Sequence, residues 1–126
     1  VNKMTQITIR INNIEYSATL NQTDTAQRIL SSLPIKGRVR RWGDEIYFPI
    51  PLLIDECIEA KTEVEVGDLA YWPPGQAFCV FFGSTPYSHS KKPVAASPVN
   101  VFGSLLDLPN QLFDIKDNAQ VEIFLA

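Results

Sequence analysis

The stretch Ile7-Thr8-Ile9-Arg10-Ile11-Asn12-Asn13-Ile14-Glu15-Tyr16-Ser17-Ala18-Thr19-Leu20 sets the character of the chain. Ile7, Ile9 and Ile11 alternate with Thr8 and Arg10. Successive side chains of an extended backbone point to opposite faces, so the three isoleucines share one. Asn12-Asn13 supplies a short polar turn, after which Ile14, Tyr16, Ala18 and Leu20 resume the alternation. Two alternating runs around such a turn predict a β-hairpin. The polar-apolar alternation begins at Lys3, unlike a secretory leader, which has a charged start and an apolar run.

Beyond the hairpin the period changes once. Ala26, Ile29, Leu30 and Leu33 follow the i, i+3, i+4, i+7 spacing of one helix face. Asp24 is the expected cap with Gln27 reaching back, and Pro34, which has no backbone N–H, is the expected stop. From Gly37 onward the chain reads as extended pieces: Arg38 to Trp42, Ile46 to Phe48, Glu63 to Val66, Leu69 to Trp72, Phe78 to Phe82, Val99 to Leu106 and Val121 to Leu125. Gly67-Asp68, Pro73-Pro74-Gly75 and Gly83-Ser84 punctuate them as turns. Strands this frequent favour a closed barrel or a sandwich, and the barrel is the expectation because closure removes exposed edges. Ser84 to Pro98, with three prolines, four serines and Lys91-Lys92, reads as one long loop. Asp107, Pro109 and Leu112-Phe113 predict a short helical turn.

The expected whole is therefore a mostly-β single domain over residues 1–126 with one clear helix. A net charge of −3 provides no basic field for phosphates, so nucleic acid is not an expected partner. Lys36, Arg38, Arg40 and Arg41 read as a salt-bridged strand surface. No apolar run approaches membrane-spanning length, so the expectation is a cytoplasmic chain with no membrane partner. Cys57 and Cys79 form no metal-ligand spacing, and His89 is the one histidine; neither a metal nor a cofactor is expected.

Among the carboxylates, Glu63 and Glu65 alternate with Val64 and Val66, the pattern of a solvated strand face. Asp44-Glu45 sits instead between Trp42-Gly43 and Ile46-Tyr47-Phe48, where Gly43 permits a bend. That bend would gather an arginine, two acids and three aromatics on one rim. Trp72-Pro73-Pro74-Gly75 and Phe81-Phe82-Gly83-Ser84-Thr85-Pro86 put aromatic rings beside residues of fixed φ, which suits rigid apolar grooves. Core filling is the competing reading for Tyr71, Trp72, Phe78 and Phe82.

Four blocks carry a family resemblance: Arg41-Trp42-Gly43-Asp44-Glu45-Ile46-Tyr47-Phe48, Gly67-Asp68-Leu69-Ala70-Tyr71-Trp72-Pro73-Pro74-Gly75, Phe81-Phe82-Gly83-Ser84-Thr85-Pro86 and Ser97-Pro98-Val99-Asn100-Val101-Phe102-Gly103. In this order they resemble a small prokaryotic family of cyclophilin-like proteins. The resemblance implies a closed eight-stranded β-barrel capped by helices, related in fold to peptidyl-prolyl isomerases. It does not extend to the isomerases' catalytic residues, of which only Arg41 followed by an aromatic pair has a counterpart.

Three functions follow. The first is a binding module for a small polar molecule or peptide in a cleft drawn from Arg41, Trp42, Asp44, Glu45, Tyr47, Phe48, Trp72, Phe82, Thr85 and Pro86. A second is peptidyl-prolyl isomerisation with Arg41 donating to the prolyl nitrogen. The third is a small-molecule enzyme with Asp44 or Glu45 as general base. An exposed part of the aromatic face equally suits a homodimer contact.

Overall fold

The structure is a computed structural model that describes residues 4–126; Lys3, where the alternation begins, and the start of the expected 1–126 domain lie outside the described residues. The predicted hairpin forms as β1 (Thr5–Ile11) and β2 (Ile14–Leu20), with Ile7 opposite Ala18 and Ile9 opposite Tyr16. Asn12 and Asn13 both take positive φ, 50° and 69°, as a two-residue turn matched to strand twist requires.

The helix α1 covers Asp24–Leu30 and is capped by Thr23, not Asp24: the Thr23 hydroxyl accepts from the Ala26 N–H. Asp24 falls in the first turn, where its charge suits the helix dipole. The helix ends before Leu33, yet Leu33 still packs on the same core as Ala26 and Ile29.

Eight further strands follow: β3 (Ile35–Arg38), β4 (Arg40–Arg41), β5 (Glu45–Pro49), β6 (Lys61–Glu63), β7 (Asp68–Trp72), β8 (Ala77–Phe81), β9 (Val94–Leu105) and β10 (Gln120–Leu125). They form one ten-stranded sheet in the order β3-β10-β1-β2-β9-β7-β8-β5-β4, with β6 added to β9. Every pairing is antiparallel. This corrects the expected closed eight-stranded barrel, since the hydrogen-bonded ladder is open between β3 and β4. The cause is local. The run predicted as one strand from Arg38 to Trp42 divides at Val39, so that β3 pairs with β10 and β4 with β5. Val39 itself is held by Ala119 and Asn118 through backbone hydrogen bonds of 2.9 and 2.7 Å.

Three other expectations change. The strand expected from Glu63 to Val66 lies at Lys61–Glu63, so Glu65 is not on a strand face. The loop drawn from Ser84 to Pro98 ends at Pro93, because β9 begins at Val94. Proline is tolerated within β9 where pairing with β6 shifts register between Lys61 and Glu63. The short helical turn near Leu112 is a 3₁₀ turn at Asn110–Asp114.

The sheet packs on both faces. The larger cluster includes Ile7, Ile9, Leu20, Ile29, Ile46, Phe48, Tyr71, Phe78 and Phe102. A smaller one includes Val64, Ala70, Cys79, Phe81, Ala95 and Val99, with Tyr47 and Trp72 against it. Alternation along β5 separates them, Ile46 and Phe48 going to the first and Tyr47 to the second.

Residues 50–60 have no regular structure and are tied down by polar groups. The buried Tyr71 hydroxyl donates to the Leu52 carbonyl and accepts from the Ile54 N–H, at 2.7 and 3.2 Å. Asn100, 1% exposed, accepts from the Cys57 N–H at 2.8 Å and donates to the Asp55 carbonyl at 2.9 Å. Asn100→Leu strands both backbone groups at similar volume and is expected to cost about 3 kcal/mol. A urea unfolding midpoint that does not move would refute this account of how residues 50–60 are held.

Candidate functional site

Gly43 and Asp44 form the tight turn between β4 and β5, closed by the Trp42 N–H to Glu45 carbonyl and Glu45 N–H to Trp42 carbonyl bonds at 2.9 and 3.2 Å. Gly43 holds φ at +61°, and a Cβ there would lie 2.9 Å from the Ser84 carbonyl oxygen. Left-handed backbone and close approach thus both demand glycine. The turn is stitched to the following loop through the Asp44 N–H to Ser84 carbonyl bond of 2.8 Å.

That loop, residues 84–93, is braced from within. The Thr85 hydroxyl donates to the Val94 carbonyl at 2.5 Å, and the Ser88 hydroxyl donates to the Lys92 carbonyl at 2.7 Å. Lys92 meets Glu65 at 2.9 Å on the exposed surface. The brace presents Tyr87, whose ring meets Trp42 edge-on with centroids 5.1 Å apart. A second edge-on pair, Tyr47 and Trp72, has centroids 6.2 Å apart. Trp72 donates its indole N–H to the Ser97 hydroxyl at 2.7 Å, and its ring covers Gly75, where a Cβ would collide with it.

These two pairs wall a pocket of about 190 Å³ lined by Trp42, Glu45, Tyr47, Trp72, Tyr87, Ala95, Ala96 and Val99. It lies on the face of the sheet that carries the smaller cluster. Glu45 is 6% exposed, and burial pushes its carboxyl up to about 7 while a hydrogen bond with the Cys79 thiol pulls it back. The fully buried Cys79 thiol is itself pushed well above its ordinary value by burial and by the neighbouring Glu45.

Four of the ten residues singled out by sequence, Trp42, Glu45, Tyr47 and Trp72, come together here. The other six serve elsewhere. Arg41 is half-buried and its guanidinium donates to the Gly43, Phe113 and Ile115 carbonyls and to Asp44. Asp44 is thereby ion-paired at 2.9 Å, not directed at the pocket. Phe48 and Phe82 are buried in the larger cluster, Phe82 beneath the Arg41 guanidinium at 5.0 Å. Thr85 is occupied in bracing the loop, and Pro86 lies against the Gly43 turn. Of the basic run only Arg41 is ion-paired among the described residues, because Arg38 donates instead to the Asn118 carbonyl. His89 is exposed, as are Glu63 and Glu65. Tyr87, Ala95, Ala96 and Val99 were not anticipated. A tyrosine directly after Thr85-Pro86 and a pair of small alanines before Pro98 were the available signals.

No group of three or more histidine, cysteine, aspartate or glutamate side chains is placed to hold a metal among the described residues. Nor is any helix among them long and apolar enough to cross a membrane.

The Cyclophilin-like family matches residues 5–124, and the chain belongs to that family. Its fold is similar to the solution structure of the hypothetical protein AF2241 from Archaeoglobus fulgidus, with a TM-score of 0.80 and 36% identity over 98% of this chain and 95% of that one. It is also similar to McbB, solved in complex with tryptophan, with a TM-score of 0.68 and 14% identity. That match covers 94% of this chain but 44% of McbB, and at this identity the likeness concerns the fold. No curated protein matches the chain.

The buried carboxyl makes stability depend on pH. Glu45 holds its proton in the folded state up to about 7, whereas the unfolded chain releases it near 4.5, so stability falls as pH rises between these values. The loss is about 3 kcal/mol and is complete above the folded value. Glu45→Gln is expected to remove it, so the variant gains on the wild type as pH rises. Parallel stability–pH curves for the two proteins would refute the assignment.

Proposed function

We propose that the protein binds a small molecule in the pocket between Trp42, Tyr47, Trp72 and Tyr87. The observation that carries this reading is the placement of a buried carboxyl, Glu45, among four aromatic side chains. Pockets of this kind join apolar walls, which provide affinity, to a few polar groups, which fix orientation. A volume of about 190 Å³ is below the range for drug-sized ligands and suits a compact molecule better than a peptide chain. McbB, the similar fold in complex with tryptophan, supports a small-molecule occupant by analogy of fold alone.

A thermal-shift screen of metabolites and short peptides tests the reading. At about 100-fold excess over Kd a ligand adds roughly 2.7 kcal/mol, or on the order of 10 °C in Tm for a chain this size. Ala96 is exposed on the pocket wall, so Ala96→Phe fills the pocket without disturbing either cluster. The shift is expected to vanish in that variant. Hits that bind Ala96→Phe as well as wild type would overturn the pocket.

One observation favours a second reading, general acid–base chemistry at the same site. A carboxyl titrating at about 7 is poised to take and return a proton near neutral pH. Glu45 carries that reading, because Asp44 is engaged with Arg41. Isomerase activity through Arg41 has no comparable support, as its guanidinium is engaged by three carbonyls and a carboxylate. The wild-type protein is expected not to accelerate cis–trans exchange of a proline peptide, and acceleration abolished by Arg41→Ala would reverse that expectation.

A further inference from the structure

A buried carboxyl in no ion pair among the described residues defines what should fill the pocket. Glu45 is 6% exposed and lines the pocket, yet none of the ion pairs among the described residues includes it. The groups around it come from several elements. On β5 itself the ionisable neighbour is Tyr47; β8 presents the Cys79 thiol and the 84–93 loop presents Tyr87. The β7 and β9 walls bring Trp72, Ala95, Ala96 and Val99, none of which carries charge. The nearest cation in sequence, Arg41, is held on Asp44 and on backbone carbonyls. Burial raises the proton affinity of the carboxyl and the thiol hydrogen bond lowers it, and no lysine, arginine or histidine among the described residues lines the pocket.

A buried carboxylate with no cation of its own is costly to ionise unless a positive charge enters beside it. The walls suit the same visitor, since the face of an aromatic ring is its negative region and attracts an ammonium group. Trp42, Tyr47, Trp72 and Tyr87 place four aromatic side chains in the lining. We infer that the occupant is a small organic cation, a protonated or quaternary amine, received by the Glu45 carboxylate and the aromatic walls. The inference rests on the pocket reading above and narrows it to one class of ligand.

The pH dependence has a required sign. A cation binds the ionised form of Glu45, so affinity must rise with pH as that carboxyl loses its proton, and a neutral or anionic ligand shows no such rise. Both tryptophans of the chain, Trp42 and Trp72, line the pocket, so intrinsic fluorescence reports on it directly. The experiment titrates the full chain with tetramethylammonium, choline and phenethylamine to millimolar concentration. The neutral isostere 3,3-dimethylbutan-1-ol serves as comparison, at about pH 6 and about pH 8. The expected result is that at least one cation binds with an affinity about tenfold higher at the upper pH, while the isostere binds more weakly and shows no rise. Glu45→Gln is expected to lose this pH dependence while Ala96→Phe loses binding altogether.

An isostere as tight as choline, or a cation affinity that is flat or falls with pH, would overturn the inference. If none of the amines binds but another compound shifts the wild type and not Ala96→Phe, the cation is wrong and the pocket stands. If nothing binds in either set, both fall.

Discussion

A single residue, Val39, separates the strand at one end of the hydrogen-bonded order from the strand at the other. Nine strands laid flat in that order would put those ends far apart, since each pairing adds nearly 5 Å. The chain permits no such separation, so the sheet must curl until β3 and β4 are neighbours along the backbone. The curl gives the sheet a concave face that Ile7, Ile9, Phe48, Tyr71 and Phe102 fill, and α1 covers part of it with Ala26 and Ile29. The other face needs a separate cover, which the 84–93 loop, β6 and the start of β9 supply.

The site follows from this division. On β5, Ile46 and Phe48 enter the larger cluster while Glu45 and Tyr47 point the other way. A carboxyl on the outer face would be solvated in an uncovered sheet. Here it lies beneath the 84–93 loop and the aromatic pairs, where desolvation raises its proton affinity. The cost of keeping that acid dry is a property of the cover, not of the strand.

The hairpin and helix were legible because their patterns have one physical meaning: alternation at Ile7–Ile11 buries one face, and the Ala26–Leu33 spacing buries one stripe. Half the pocket was legible for a similar reason, because Trp42, Glu45 and Tyr47 lie two or three residues apart around a glycine-permitted turn. The remainder depends on partners distant in sequence. Ser97 and Pro98 imitate loop punctuation, yet pairing of β9 with β2, β6 and β7 outweighs them. Arg41 looks like a free binding arginine until Phe113 and Ile115, some 70 residues on, supply its acceptors. The open ladder was equally hidden, because alternation does not reveal that one extended run changes partners halfway.

Strand β9 spans both halves of this arrangement, its start lining the pocket and its end pairing with β2 beside the larger cluster. Tyr87, Ala96 and the loop braces can change without altering a residue of the larger cluster. The scaffold is thereby evolvable: substitutions can accumulate on one face while foldability is conserved on the other. Relatives with the same curled sheet can accordingly diverge in chemistry much faster than in shape.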